Sequence, residues 1–452
     1  MILTHGVGGR QDLPLPLEYV IAGAVLALVV SFGLLVLTTR RAAAGQTDGG
    51  QITGSQGPQV RNPRGWPVPR LGRIVDSTAW TALWRIVGLL IFAYFVLVAF
   101  AGPDNANNPI FGMTYVWLWV GIVPFSLLFG HVWKAISPAR TVVAGLTWLR
   151  GDGEPMLRLP ERLGYWPAAL ALLAFAWLEL VYPENNYLGP VRIWLALYLA
   201  VMIIGGALFG EDFLERTDPF EVYSSLTARL SVWGRTPAGN LVVRTPLGNL
   251  DTLRPAPGLV AVVSVLFGTI VYDSYRDSPQ WLRLVQNPAL SGDTAYLISN
   301  IALIAFPLLV AGFYCVGTML TGVGDVPRRA LPAQLAPSIV PIVVGYVVAH
   351  YLSYFWESGL ATLRNASDPL GNGGDWLGTA DMPVSYFFAF HATLLAVIKV
   401  TAVIVGHVLG VWSAHIRALQ VLPNQHLITG QVPLLVTMVG FTVGGLYLLF
   451  SV

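Results

Sequence analysis

A chain of 452 residues with 55% hydrophobic and 11% charged side chains and a mean hydropathy of +0.63 does not read as a set of soluble domains. It reads as a polytopic membrane protein. A net charge of +2 without a long basic tract argues against a nucleic-acid partner, and the single cysteine, Cys315, rules out an internal disulfide or a thiolate metal cluster.

About 20 apolar residues cross the hydrocarbon core as a helix, and ten stretches qualify: 18–38, 81–102, 113–132, 165–183, 189–210, 257–273, 294–318, 336–357, 385–410 and 431–451. The expected fold is therefore an all-α, polytopic transmembrane helix bundle. Residues 1–452 form a single membrane domain whose lipid partner is the bilayer. The segment 1–17 lacks the features of a cleavable secretory signal, so 18–38 is read as a retained first span. The ninth run exceeds one bilayer thickness, so its helix is free to begin later than 385. Residues 39–80 contain a Gly/Gln/Ser stretch followed by Pro and Arg, which predicts a flexible loop.

Of the 26 Lys and Arg residues, 19 fall in the connections 39–80, 133–164, 211–256, 319–335 and 411–430, and only 4 in the alternate connections and the N-terminal segment. The positive-inside rule then places both termini outside a plasma membrane. Two of the inner connections resemble each other. LFGHVWKAISPARTVVAGLTWLRG (128–151) and LFGEDFLERTDPFEVYSSLTARLSVWG (208–234) each carry a Ser-Pro or Asp-Pro helix start. Their helices are too short to span, so the expectation is two interfacial helices on the inner side. The repeat relates spans two and three to spans four and five, and puts His131 and Glu211 in equivalent places.

Ionisable residues within spans are costly and mark sites or partners. Arg85 and Arg192 lie near span ends, where snorkelling accounts for them. Lys399, inside LLAVIKVTAVIVGHVLGVW, requires a carboxylate partner, a deprotonated state or a water-filled cavity. His350 and Glu357, seven apart on the eighth span, share a face with Tyr354, and His5 and His391 lie at the same outer depth. Glu179, Asp273 and Asp375 can approach this layer from other segments. Imidazoles and carboxylates converging there suit a divalent metal or a general base, although no tight ligand spacing such as HExxH is present. Helix-packing hydrogen bonds are the alternative for each histidine. His407 and His415, eight apart, fit an inner polar cluster with His131 and Glu211. Gly440, Gly444 and Gly445 suit close helix packing.

HGVGGRQDLPLP (5–16), DPFEVYSSLTARLSVWG (218–234), SDPLGNGGDWLGTAD (367–381), GHVLGVWSAHIRAL (406–419) and GQVPLLVTMVGFTVGGLYLL (430–449) together resemble the actinobacterial integral membrane proteins known as fenitrothion hydrolases. The similarity runs over essentially the whole chain. It implies hydrolysis of an aryl phosphotriester, a small-molecule substrate that needs an activated water and a stabilised leaving group. On that implication the metal ligands are His5, His350, His391 and Asp375, and the catalytic groups are Glu357 and Lys399. The chain departs from many members in two places. Met1 to Thr4 precede His5, and Ile416 stands where an acid follows the Ala-His pair, which weakens a role for a free N-terminal histidine and for that inner carboxylate. The rival expectations are a small-solute or ion transporter, with Lys399 and the histidines lining a path, and a noncatalytic subunit bound to other membrane proteins.

Overall fold

Hydrocarbon offers no hydrogen-bond partner, so a chain this apolar must close its backbone within helices. The computed structural model describes residues 10–44, 65–151, 154–321, 326–422 and 429–450. Nine helices among the described residues are long and apolar enough to cross a membrane. They are Leu17–Thr38, Thr78–Ala101, Glu161–Leu180, Leu188–Phe209, Leu259–Arg276, Gly292–Leu320, Arg328–Asn365, Ala392–Val421 and Thr429–Phe450. Counted as one span, the pair Pro109–Leu118 and Ile122–Phe129, bent by 46°, makes the tenth and stands third in chain order. The expected straight span at 113–132 is thus broken. Residues Met113–Leu118 are π-helical, with Trp119 N donating to Thr114 O and Gly121 N to Val116 O, and this register change turns the chain. The ninth span begins at Ala392 rather than 385, because His391 leaves helical geometry at φ −122° and ψ 50°.

The sixth and eighth spans are the most enclosed, with 72% and 89% of their apolar windows buried in protein. The eighth and ninth spans approach most closely where two glycines meet. A Cβ on Gly345 would lie 2.5 Å from Ala402 O, and one on Gly406 would lie 2.6 Å from Pro341 O. Of the three glycines expected to pack in the tenth span, Gly440 meets Phe313 and Gly445 meets Tyr346, while Gly444 borders open space.

The repeated connections share a backbone path. Gly130 and Gly210 both end a span with positive φ, +85° and +77°, a region that a side chain would strain. Short helices follow, Val132–Ile136 and Glu211–Thr217. Then Ser137 Oγ accepts from Arg140 N, and Asp218 Oδ1 accepts from Phe220 N and Glu221 N, starting Pro138–Arg150 and Pro219–Ala228. Each of these helices packs on spans of both hairpins: Pro138–Arg150 on the second and fifth, Pro219–Ala228 on the third and fourth. Equivalent positions carry opposite charges and meet. Arg140 and Glu221, each two residues after its proline, are joined by Nε to Oε2 at 3.1 Å and Nη2 to Oε1 at 2.5 Å. Lys134 and Glu215, each three before its cap, also pair. His131 and Glu211 stand at matching places, and Glu211 adds a second carboxylate to Arg140 at 2.9 Å.

The two helices do not both lie at an interface, as their lengths suggested. Pro138–Arg150 keeps an exposed apolar edge at Trp148 and Leu149. Pro219–Ala228 is buried almost throughout, with the Phe220 ring against Trp133, Phe175, Trp194 and Tyr198. Its polar groups are answered from the neighbouring copy: Ser224 by Ser126 at 2.8 Å and Asp218 Oδ2 by the Trp133 indole at 3.0 Å. The connection 39–80 is also not wholly a flexible loop. Trp66–Pro67 (β1), Trp233–Arg235 (β2) and Leu241–Val243 (β3) form a three-stranded antiparallel sheet in the order β1-β3-β2, and Pro69–Val75 is helical. Pro67 is tolerated because β1 is an edge strand.

The crossed charge pair predicts a rescue. Arg140→Glu alone brings a third carboxylate to Glu211 and Glu221 and should cost at least about 3–5 kcal/mol. Adding Glu221→Arg should recover most of the loss in thermal unfolding of the detergent-solubilised protein. Equal stability of the single and double variants would show that the pair does not join the two copies.

Candidate functional site: a buried carboxylate and histidine cluster

The fourth, sixth and eighth spans bring their polar residues together toward the face that carries Arg10–Asp12. Glu179 stands one residue before the end of the fourth span, Asp273 and Ser274 lie near the end of the sixth, and Tyr346, His350 and Tyr351 are in the eighth. Helical spacing of four puts Tyr346 and His350 on one face. All are enclosed, with Asp273 at 0%, His350 at 4% and Glu179 at 5% exposure.

A continuous chain of hydrogen bonds joins the sixth and eighth spans. Tyr346 OH donates to Ser274 Oγ at 3.1 Å, and Ser274 Oγ lies 3.1 Å from His350 Nδ1. His350 Nε2 lies 3.0 Å from Asp273 Oδ2, which also accepts from Tyr351 OH at 2.8 Å. With Asp273 as a carboxylate, Nε2 donates to it, and the Ser274 hydroxyl is placed to exchange a hydrogen bond with Nδ1.

Glu179 completes the cluster without joining that chain. Both its carboxylate oxygens are buried and have no hydrogen-bond partner among the described residues. Asp273 and Arg276 are the charges it faces, and the hydroxyls of Tyr115, Tyr351 and Tyr354 feel its field. Arg276 does not form an ion pair with it among the described residues. Its Nη1 donates instead to Leu180 O at 2.8 Å, tying the ends of the fourth and sixth spans. An ionised carboxylate without donors in such a place is costly, so this position calls for a proton or a cation.

The residues proposed from sequence are placed differently from one another. His350 is in the cluster, and Asp273 and Glu179 do approach it from other spans. Glu357 lies two turns further along, about 10 Å by helix rise, half-buried and outside the His350 network, with Oε1 lacking a hydrogen-bond partner among the described residues. His391 is exposed at the start of the ninth span, its ring stacked on Phe387 and its Nδ1 2.8 Å from Phe387 O. Asp375 is exposed in the 366–381 connection, where it accepts from the Ser367 hydroxyl and from Ala380 N. His5 lies outside the described residues. Lys399 is 1% exposed but sits two turns from the start of its helix, not at mid-span, and faces Asp12 of the N-terminal turn Arg10–Asp12, which packs on the ninth span. Among the described residues, no group of three His, Cys, Asp or Glu side chains is placed to hold a metal ion.

The second expected cluster is divided among separate partners. His415 Nδ1 bonds Gln431 Oε1 at 2.9 Å, His407 Nδ1 donates to Val403 O at 2.8 Å, His131 lies 3.2 Å from Ser225 Oγ, and Glu211 belongs to Arg140. Arg192 donates Nε to Ala99 O and lies over Phe100, which gives it a structural partner at the end of the second span. Sequence reasoning did not single out Ser274, Tyr346 or Tyr351. The signal was the adjacency of Ser274 to Asp273, whose depth was already noted.

No protein family, curated protein or solved structure matches the chain.

The 366–381 connection, which follows the eighth span and meets Tyr94 and Pro103, is held by carboxylates. Donation from Gly373 N holds Asp368 below the ordinary aspartate range, and the Ser367 hydroxyl does the same for Asp375. Depressed values in the folded state mean stability that is present above the ordinary range and lost as pH falls through the folded values. Amide exchange across 367–381 should therefore accelerate relative to the spans below about pH 4. Uniform protection down to the lowest folded pH would count against this role.

Proposed function

We propose that this chain is a multi-pass membrane carrier in which Glu179, Asp273 and His350 bind and release a proton as a solute crosses. The observation that carries the reading is Glu179, a buried carboxyl with neither oxygen hydrogen-bonded among the described residues, facing a second carboxylate. Two such groups in low dielectric favour a shared proton over two charges. His350 stands between Asp273 and the Ser274–Tyr346 pair, so one ring nitrogen can take up a proton as the other gives one to Asp273. The cluster is closed to solvent, so loading and release require the spans to move, as alternating access does. The concentration of basic residues on the face of the repeated connections supports a cytoplasmic position for that face in a plasma membrane, with the termini outside.

A second reading rests on a different feature of the same residues. Ser274, His350 and Asp273 are linked in the order of a nucleophile, base and orienting acid. Together with the resemblance to fenitrothion hydrolases, this supports a hydrolase whose site opens by movement of the spans. In that reaction His350 removes the serine proton and Asp273 steadies the imidazolium.

Infrared spectroscopy separates the readings. Under the carrier, a carbonyl band of a buried carboxylic acid should be present at neutral pH and disappear in Glu179→Gln. Its absence from the parent protein would sink the proton site. Release of nitrophenolate from an aryl phosphotriester, lost in both Ser274→Ala and His350→Ala, would establish the hydrolase instead. For orientation, a cysteine at Thr236 in a Cys315→Ala background should resist an impermeant thiol reagent in intact cells, while one at Asn372 should react. The reverse pattern would invert the topology.

A further inference from the structure

A second group of charges lies on the opposite face, beneath the small sheet. Arg229 follows the buried helix Pro219–Ala228, and Arg244 follows β3. Arg229 is half-buried and Arg244 is 5% exposed. One turn of chain links the two: Arg229 Nη1 donates to Thr252 Oγ1, the Thr252 hydroxyl donates to Asn249 O, and Asn249 Oδ1 and Arg244 Nε both border Gly234. Among the described residues neither arginine forms an ion pair.

Among the described residues, nearby carboxylates face other cations: Glu215 pairs with Lys134, Asp76 with Arg235 at 2.5 Å, and Asp251 Oδ1 lies 3.4 Å from Arg417 Nε. The arginines are nevertheless fixed in position. Arg229 Nη1 donates to Thr252 Oγ1, and Arg244 Nη2 donates to Arg235 O at 3.1 Å. Arg244 lies flat on β2 because residue 234 is glycine; a Cβ there would sit 3.2 Å from Arg244 Nε and 2.3 Å from Asn249 Oδ1. Asn249 braces the same strand by donating to Ser231 O and Trp233 O, both at 2.9 Å. Arg244 Nε itself is buried and has no acceptor among the described residues.

Burial pushes the pKa of both arginines down, which is the cost of holding them without an anion. Two rigid, desolvated guanidinium forks with unused donors match the oxygens of a phosphate group. We propose that Arg229 and Arg244 form a binding site for a phosphate-type anion on the face of the repeated connections. Such an anion reaches this face either as an anionic lipid headgroup or as a free phosphate. The site lies in segments distinct from the Glu179 cluster and does not depend on the function proposed for it.

Native mass spectrometry of the full chain in detergent tests the site, with phosphatidylglycerol, phosphatidylcholine and inorganic phosphate as separate probes. The parent protein should retain phosphatidylglycerol or inorganic phosphate in preference to phosphatidylcholine. Each of Arg229→Gln and Arg244→Gln should weaken that retention about tenfold. Arg229→Lys, which keeps the charge and loses the fork, should weaken it less than Arg229→Gln and guards against a folding defect. Competition of inorganic phosphate with the lipid identifies a soluble phosphate as a ligand, and retention of the lipid alone identifies a headgroup site. Equal retention of all probes, or an equal loss in the exposed control Arg73→Gln, would overturn the proposal.

Discussion

In a bilayer, every polar group that a helix carries inward must find its answer inside the protein, since neither lipid nor water supplies one. Much of this architecture can be read from how that demand is met. The Arg140–Glu221 pair shows it most directly. Glu221 is nearly inaccessible at 1% exposure, so the helix carrying it could not enter the bundle without a cation from the neighbouring connection. Because Arg140 and Glu221 occupy equivalent places in two similar segments, the pair both neutralises the charge and fixes how the two hairpins fit together. Lys134 and Glu215 repeat the arrangement nearer the surface.

The same demand explains the sixth and eighth spans. Asp273 receives two donors, from His350 and Tyr351, and His350 in turn is engaged by Ser274. These contacts tie together two of the most enclosed helices. Against that background Glu179 stands apart, because the fold encloses it without supplying a donor from the described residues. Stability gains nothing from such an acid, which is the physical ground for assigning it a ligand rather than a packing role. Arg229 and Arg244 pose the complementary case, two cations without an ion pair among the described residues, with Arg244 Nε buried and lacking an acceptor there.

Lys399 illustrates how depth changes meaning. In a continuous apolar run it reads as a mid-membrane charge. The helix begins only at Ala392, which places the lysine two turns from its end, within reach of Asp12 on the N-terminal turn. His391 changes in the same way. It was grouped with His350 by sequence depth, yet it stands at the helix start with its ring on Phe387.

Sequence by itself determined the multi-pass membrane setting, the nine long apolar helices, and the duplication of two connections with their proline starts. These follow from local properties: twenty apolar residues are long enough to span, and Ser-Pro and Asp-Pro start helices wherever they occur. Sequence also named His350, Asp273 and Glu179 as polar residues of similar depth. Which of them meet was decided only by tertiary packing, because depth along a helix says nothing of rotation about its axis or of which helices are neighbours. The pairing of His350 with Asp273 rather than Glu357 depends on the sixth and eighth spans facing each other. The burial of Pro219–Ala228 likewise depends on Arg140 reaching Glu221 from a segment 81 residues away in sequence, a contact that no local pattern encodes.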